Sequence, residues 1–342
     1  MIRAHRFLVA ALSTILLAAA APDAAAKSCT TATDACAEFV RVPGADAGLK
    51  VYRSHPLSER NNAITRAVLL VHGAGRNAGD QFDTLLAGAI IAGTLDDTLL
   101  IAPRFASNHQ TCGDTIAPNE FNWDCGAGRS GGWRTGNPGI SHPDTTTFDA
   151  TDALLVLLAD ANVFPNLTAI TVAGFSAGGQ FVNRYSMANR VHETLRVPVT
   201  YVVASPSSYV YPDAYRPAAG GAFELYADAA NCSGYDHWPY GLSELVGYAA
   251  DLSMRQLREQ LASRPVIYLI GELETPEAPA LDTSCPAMAQ GRSRLARGEA
   301  YFTYLTEKFG AAHRFDVVNQ CGHSARCVYT ANTALRVLYP ER

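Results

Sequence analysis

Ile170-Thr171-Val172-Ala173-Gly174-Phe175-Ser176-Ala177-Gly178-Gly179 begins as an apolar strand and ends as the start of a helix, with one serine held among glycines. A core helix gains nothing from glycine, which costs about 1 kcal/mol relative to alanine. Glycines at 174, 178 and 179 therefore mean that this turn needs room. A G-x-S-x-G pattern at a strand-to-helix junction has a mechanical meaning: a tight, strained turn lifts the serine hydroxyl above a sheet. The backbone N–H of Ala177 then points to where an oxyanion would form, and Ser176 becomes a candidate nucleophile.

Around this turn the chain alternates between two kinds of segment. Apolar runs at 67–71, 98–102, 167–173, 199–204, 265–270 and 314–318 are bounded by Gly, Pro or polar turns and suit strands buried on both faces of a mostly parallel sheet. Segments 148–158, 180–190, 242–262 and 325–338 carry apolar residues at helical spacing, with Thr146-Thr147 placed to cap the first. Residues 39–52 read as an antiparallel hairpin. Strands alternating with helices predict one α/β sheet. The Gly-, Pro- and Trp-rich stretch 107–143 is a long loop excursion, of the kind that serves as a lid or binding loop.

Of the 342 residues, 48% are hydrophobic, enough for a full core, and the net charge of −5 with scattered Lys and Arg gives no footprint for nucleic acid or anionic lipid. The amino terminus reads as a leader: a basic start to Arg6, an apolar run from Phe7 to Ala21, and Ala24-Ala25-Ala26 as a small-residue cleavage site. The run is short for a membrane span of about 20 residues. The expected organisation is a signal peptide over 1–26 and a single catalytic domain over 27–342, secreted or periplasmic. Eight cysteines, all beyond the leader, fit that destination. Proximity in sequence suggests pairing 29–36, 112–125 and 321–327, leaving Cys232 for Cys285.

With its elbow at Ser176, the chain resembles the α/β-hydrolase superfamily across nearly all of residues 27–342. The resemblance implies a mostly parallel central sheet flanked by helices, here with the long loop excursion and a small insertion. Val71-His72-Gly73-Ala74-Gly75 closes an earlier strand where members place a His-Gly oxyanion segment, which implies Ala74 N–H as the second oxyanion donor beside Ala177. The export signal, the short His-Gly-x-Gly segment and the abundant cysteines also make it similar to secreted esterases of the polyhydroxybutyrate-depolymerase and feruloyl-esterase type.

Serine needs a base, and superfamily chain order runs Ser, acid, His. Asn319-Gln320-Cys321-Gly322-His323-Ser324 follows the last strand, where the superfamily carries its histidine, so the resemblance points to His323. His237, in an insertion, is the other contender; His313, ahead of the strand, is expected at the surface. For the acid, Ile270-Gly271-Glu272-Leu273-Glu274 follows the penultimate strand, where the family pattern is Gly-x-x-Asp. Glu274 takes that position, with Glu272 the alternative and Asp282 a remote third. Cys321-x-His323-x-x-x-Cys327 has the look of a metal cluster, but it lacks a fourth ligand, and a disulfide is expected instead.

The resulting expectation is a serine carboxylic-ester hydrolase without cofactor or metal, acting on a small-molecule or oligomeric ester through an acyl-enzyme. Neither nucleic acid nor a stable membrane association is expected. Amide or peptide cleavage by the same residues, and a non-catalytic binding protein on the same fold, are the alternatives. Trp123, Trp133, Tyr209, Tyr211 and Trp238 either line a substrate pocket or pack beneath long loops.

Overall fold

Every one of the six runs becomes a strand; five are inner strands whose apolar residues are covered on both faces, and the sixth, 314–318, is a partly buried edge strand. The computed structural model describes residues 1–2, 28–126, 132–276 and 278–340. The leader expected over 1–26 lies, apart from Met1 and Ile2, outside the described residues. Strands β1 (Ala37–Arg41) and β2 (Gly48–Arg53) form the amino-terminal hairpin. They are followed by β3 (Arg66–Val71), β4 (Thr98–Pro103), β5 (Ala169–Phe175) and β6 (Val199–Ala204). A small ribbon of β7 (Tyr215–Pro217) and β8 (Phe223–Leu225) precedes β9 (Val266–Gly271) and β10 (Arg314–Val318). The main sheet has eight strands in the order β1-β2-β4-β3-β5-β6-β9-β10; β2 runs antiparallel to its two neighbours and the rest are parallel. The β7–β8 ribbon stands apart from it, in the insertion after β6.

Helices α1 (Ala78–Ala92), α2 (Thr147–Leu158), α3 (Ala177–Ala188), α4 (Met254–Ser263), α5 (Cys285–Met288), α6 (Arg294–Phe309), α7 (Ala325–Thr330) and α8 (Asn332–Leu338) complete the fold. Alternation along β3 shows how the sheet is covered. Ala67, Leu69 and Val71 join the core built with α2, α3, α4 and α6, whereas Val68 and Leu70 join the core built with α1, α7 and α8. Thr146 caps α2 as expected, in a capping box closed by Asp149.

Two helical expectations need correction. Residues 242–262 are not one helix: Gly247 sits at φ 58° and opens a 3-10 turn, Gly247–Asp251, and α4 begins only after Ser253, whose side chain accepts from Gln256 N–H. The apolar residues ahead of it pack under the long loop, where Tyr248 N–H donates to Gly136 O. Residues 325–338 form two helices, because Ala331 at ψ 146° ends α7 and starts α8. His313 is buried rather than at the surface, its Nδ1 bonded to Tyr268 OH and its Nε2 to Leu261 O. The four disulfides are Cys29–Cys36, Cys112–Cys125, Cys232–Cys285 and Cys321–Cys327, the pairing expected from proximity.

Candidate active site

Packing explains the glycines of the opening stretch. A Cβ at Gly174 would collide with the carbonyl of Gly178, one at Gly178 with the carbonyl of Val71, and one at Gly179 with that of Ala204. The start of α3 can therefore press against β3, β5 and β6 only if these positions lack side chains. Ser176 sits between β5 and α3 at φ 58°, ψ −115°, a conformation that costs a non-glycine residue on the order of 1–3 kcal/mol. Backbone bonds hold it there: its N–H donates to Ala204 O at 2.9 Å, and its carbonyl accepts from Gln180 N–H at 3.0 Å. The hydroxyl stands at the carboxyl edge of the parallel strands, where open α/β sheets place their sites.

The structure brings Ser176, His323 and Glu274 into one hydrogen-bonded row. Ser176 Oγ lies 2.9 Å from His323 Nε2, and His323 Nδ1 lies 2.9 Å from Glu274 Oε1. A carboxylate only accepts, so Nδ1 carries the ring proton and Nε2 is left to accept from the serine hydroxyl. The imidazole also packs on Phe175, the residue before the serine, at 4.8 Å between ring centres. Glu274 is fully buried, and its other oxygen faces Arg294 Nη1 at 3.3 Å, in a pair with no exposure on either side. The competing residues lie elsewhere. Glu272 is exposed and accepts from Gln320 N–H, Asp282 accepts from Tyr240 OH, and His237 faces Glu244 and Asp236.

The loops carrying Glu274 and His323 are bound to each other. Glu272 N–H donates to Val318 O at 3.0 Å, and Leu273 N–H to Cys321 O at 2.9 Å. The Cys321–Cys327 bridge then closes the base loop onto α7, over a separation of six residues. So short a loop adds little global stability on the chain-entropy model. A misplaced catalytic group, by contrast, can cost about a hundredfold in rate. Replacing both cysteines by serine is expected to lower turnover tenfold or more (roughly 10–100-fold) while leaving thermal stability nearly unchanged. Steady-state kinetics beside a melting curve check this, and unchanged turnover would refute it.

Ala177 heads α3 directly after the serine, and Ala74 follows Gly73, at which an added Cβ would stand 3.8 Å from Ser176 Cβ. Neither N–H meets a hydrogen-bond acceptor among the described residues. Both candidate donors thus have their hydrogens unspent. His72 braces this segment from below. Its Nδ1–H donates to Gly73 O and its Nε2 accepts from Phe105 N–H, both at 2.9 Å, while Trp133 packs on the ring edge at 4.7 Å. Full burial pushes its pKa down to about 4, and burial does the same for His313.

Those two histidines predict an acid limit to stability. Both stay neutral in the folded protein down to about pH 4, whereas in the unfolded chain they take up protons near pH 6.5. The unfolded state therefore binds more protons between those values, and stability falls as pH drops through that window, by up to about 3 kcal/mol for each residue. Denaturant melts at pH 7 and 4.5 should show the loss, and His313→Phe should make it shallower. An equal loss in that variant would remove His313 from the account.

Trp123, Trp133, Tyr209, Tyr211 and Trp238 are packing residues, each at most 1% exposed in one continuous core. Parts of the long loop pack into that core as well. The backbone N–H of Trp123 donates to Ala106 O, Thr147 Oγ1 to Trp133 O, and Trp133 stacks on Phe105 beside His72. Sequence reading passed over Arg294, because a lone arginine twenty residues beyond the acid carries no local signal.

A mostly parallel sheet with a strained serine between strand and helix, and with acid and histidine on the loops after β9 and β10, is the α/β-hydrolase fold. Among solved structures the chain is similar to poly(aspartic acid) hydrolase-1 from Sphingomonas sp. KT-1, with a TM-score of 0.60 and 21% identity over 89% of this chain and 98% of that one. It is also similar to a poly(3-hydroxybutyrate) depolymerase from Bordetella parapertussis, with a TM-score of 0.59 and 20% identity over 87% of this chain and 86% of that one. No family model matches the sequence, and no curated protein matches it.

Proposed function

We propose that the protein is an exported serine hydrolase that cleaves carboxylic esters through an acyl-enzyme, with Ser176, His323 and Glu274 as its triad. The observation that carries this is the unbroken row of two 2.9 Å contacts linking the three side chains at a strained elbow. Ser176 Oγ forms a bond to the ester carbonyl carbon while its proton passes to His323 Nε2. Glu274 keeps the imidazole oriented and offsets its positive charge without itself taking the proton. The N–H groups of Ala74 and Ala177 hold the negative oxygen of the tetrahedral intermediate. The bond to the alcohol oxygen then breaks, and the alcohol leaves with the proton from Nε2. Water repeats the sequence on the acyl-enzyme, releasing the acid and restoring the serine.

The two structures described above are of hydrolases, which supports hydrolysis as the reaction class; at 20–21% identity they lend no substrate. Four disulfides and the apolar segment after Arg6 support export to an oxidising compartment. No helix among the described residues is long and apolar enough to cross a membrane. The test is labelling with a fluorophosphonate beside hydrolysis of a 4-nitrophenyl ester and the matching 4-nitroanilide. Labelling at Ser176 with faster ester turnover is expected. Faster anilide turnover would assign an amide hydrolase, and neither label nor turnover would leave a binding protein on a hydrolase fold.

A further inference from the structure

A cavity of about 540 Å³ has a wall that includes Gln180, Arg184, Arg134, Ser207, Tyr240 and Asp282. Two of its lining residues lie close to the nucleophile along the chain or the sheet. Gln180 is four residues past Ser176, about 6 Å along a helix rising 1.5 Å per residue. Ser207 follows the end of β6, whose last residue, Ala204, accepts from Ser176 N–H. Arg294 joins the two regions, bonding Glu274 Oε2 at 3.3 Å and the cavity-lining Ser207 Oγ at 3.1 Å.

The charge of this wall is unbalanced. Arg184 is 1% exposed, yet its acceptors are all neutral: Pro239 O, Gln180 O and Ser208 Oγ, at 3.1, 2.8 and 3.1 Å. That accounts for three of the five N–H groups of a guanidinium. Arg134 donates to the main-chain carbonyls of Cys125 and Gly126, and its buried Nε meets no acceptor among the described residues. Arg297 reaches Ser207 O and Asp282 O, again carbonyls. Three carboxylates stand nearby among the described residues, one of them Asp124, which acts on Arg134 and lies 3.4 Å from His109 Nδ1. Glu274 is held by His323 and Arg294, and Asp282 accepts from Tyr240 OH at 2.8 Å and Ser284 N–H at 2.9 Å. Among the described residues four guanidiniums thus face three carboxylates, a surplus of one positive charge, and neither Arg134 nor Arg184 is in an ion pair. Burial pushes Arg184 and Arg297 down only to about 10, so both remain charged at neutral pH. A buried cation without a counter-charge is costly to keep, and one at the wall of an open cavity can be matched by a ligand. Arginine also offers paired donors suited to a carboxylate.

We propose that this cavity binds a carboxylate carried on the acyl chain of the substrate, so that the enzyme prefers anionic esters to neutral ones of the same length. The proposal rests on Ser176 being the nucleophile, and its test separates the two. At constant ionic strength, kcat/KM is compared for mono-4-nitrophenyl adipate and 4-nitrophenyl hexanoate, in the parent and in Arg184→Met and Arg134→Met. The parent should favour the adipate ester by about tenfold or more, the scale of hydrogen bonds to a charged group. In each variant the ratio should fall to within about twofold of unity. Arg134 is the less buried of the two, so its variant decides should Arg184→Met fail to fold. A parent ratio near one, or a preference kept in the folded variants, overturns the subsite while leaving the hydrolase reading in place. If neither ester is turned over, the hydrolase reading fails, and titration calorimetry with adipate decides the subsite: binding lost in the variants supports it, and no binding to the parent overturns it.

Discussion

Ser176→Ala should reduce kcat on a 4-nitrophenyl ester by on the order of 10⁶, leaving only what oxyanion stabilisation and binding supply. The melting temperature should hardly move. The hydroxyl's only hydrogen bond among the described residues is the one to His323, and alanine inherits the same φ of 58° with no greater strain than serine bears. His323→Ala should fall as far, and the double variant no further, since nucleophile and base act as a unit. Fluorophosphonate labelling should vanish with Ser176. A variant lacking the hydroxyl that still turns over ester at a tenth of the parent rate, once purified from contaminating esterases, would end the assignment.

Glu274→Gln should lower kcat by about 10⁴. The amide keeps the shape of the acid but can present N–H to Nδ1, favouring the tautomer whose Nε2 bears hydrogen and cannot take the serine proton. A second effect should accompany the first. Arg294 and Glu274 are both fully buried, and breaking such a pair from one side costs about 3–5 kcal/mol. The melting temperature should therefore drop together with turnover. Glu272→Gln is the control: its carboxylate is exposed and caps Gln320 N–H, so turnover should stay within about twofold, the small change usual for a surface substitution. Should Glu272→Gln prove the more damaging, the placement of the acid on the loop after β9 is wrong.

Legibility followed the range of the forces involved. Strands β3 to β6 and β9 could be read directly, because burial on both faces leaves an apolar run that no other local structure requires, whereas β10 is a partly buried edge strand. The elbow could be read as well, since the clashes that would exclude a Cβ at Gly174 and Gly178 are met by glycine at those very positions. Helices α1 and α6 escaped notice. In α6 the buried positions include Arg294, Arg297 and Gly298, so the apolar stripe that would reveal it is interrupted. Residues 242–253 misled in the opposite direction, showing helical spacing while the left-handed φ of Gly247 and a contact with Gly136 held them open.

What the sequence determined alone was local: which runs are strands, where the chain must turn without side chains, and which serine stands at that turn. These depend on neighbours within a few residues, whose chemistry the order of letters states. The choice of Glu274 over Glu272 was open, because the sequence does not show which way each of two glutamates in the turn after β9 faces. Tertiary structure decided it, sending one inward to His323 and Arg294 and the other out to Gln320. The charged cavity belongs to the same category. Arg134, Arg184, Arg294 and Arg297 come from a loop and two helices as much as 163 residues apart, and their surplus charge exists only once folding has removed the water between them.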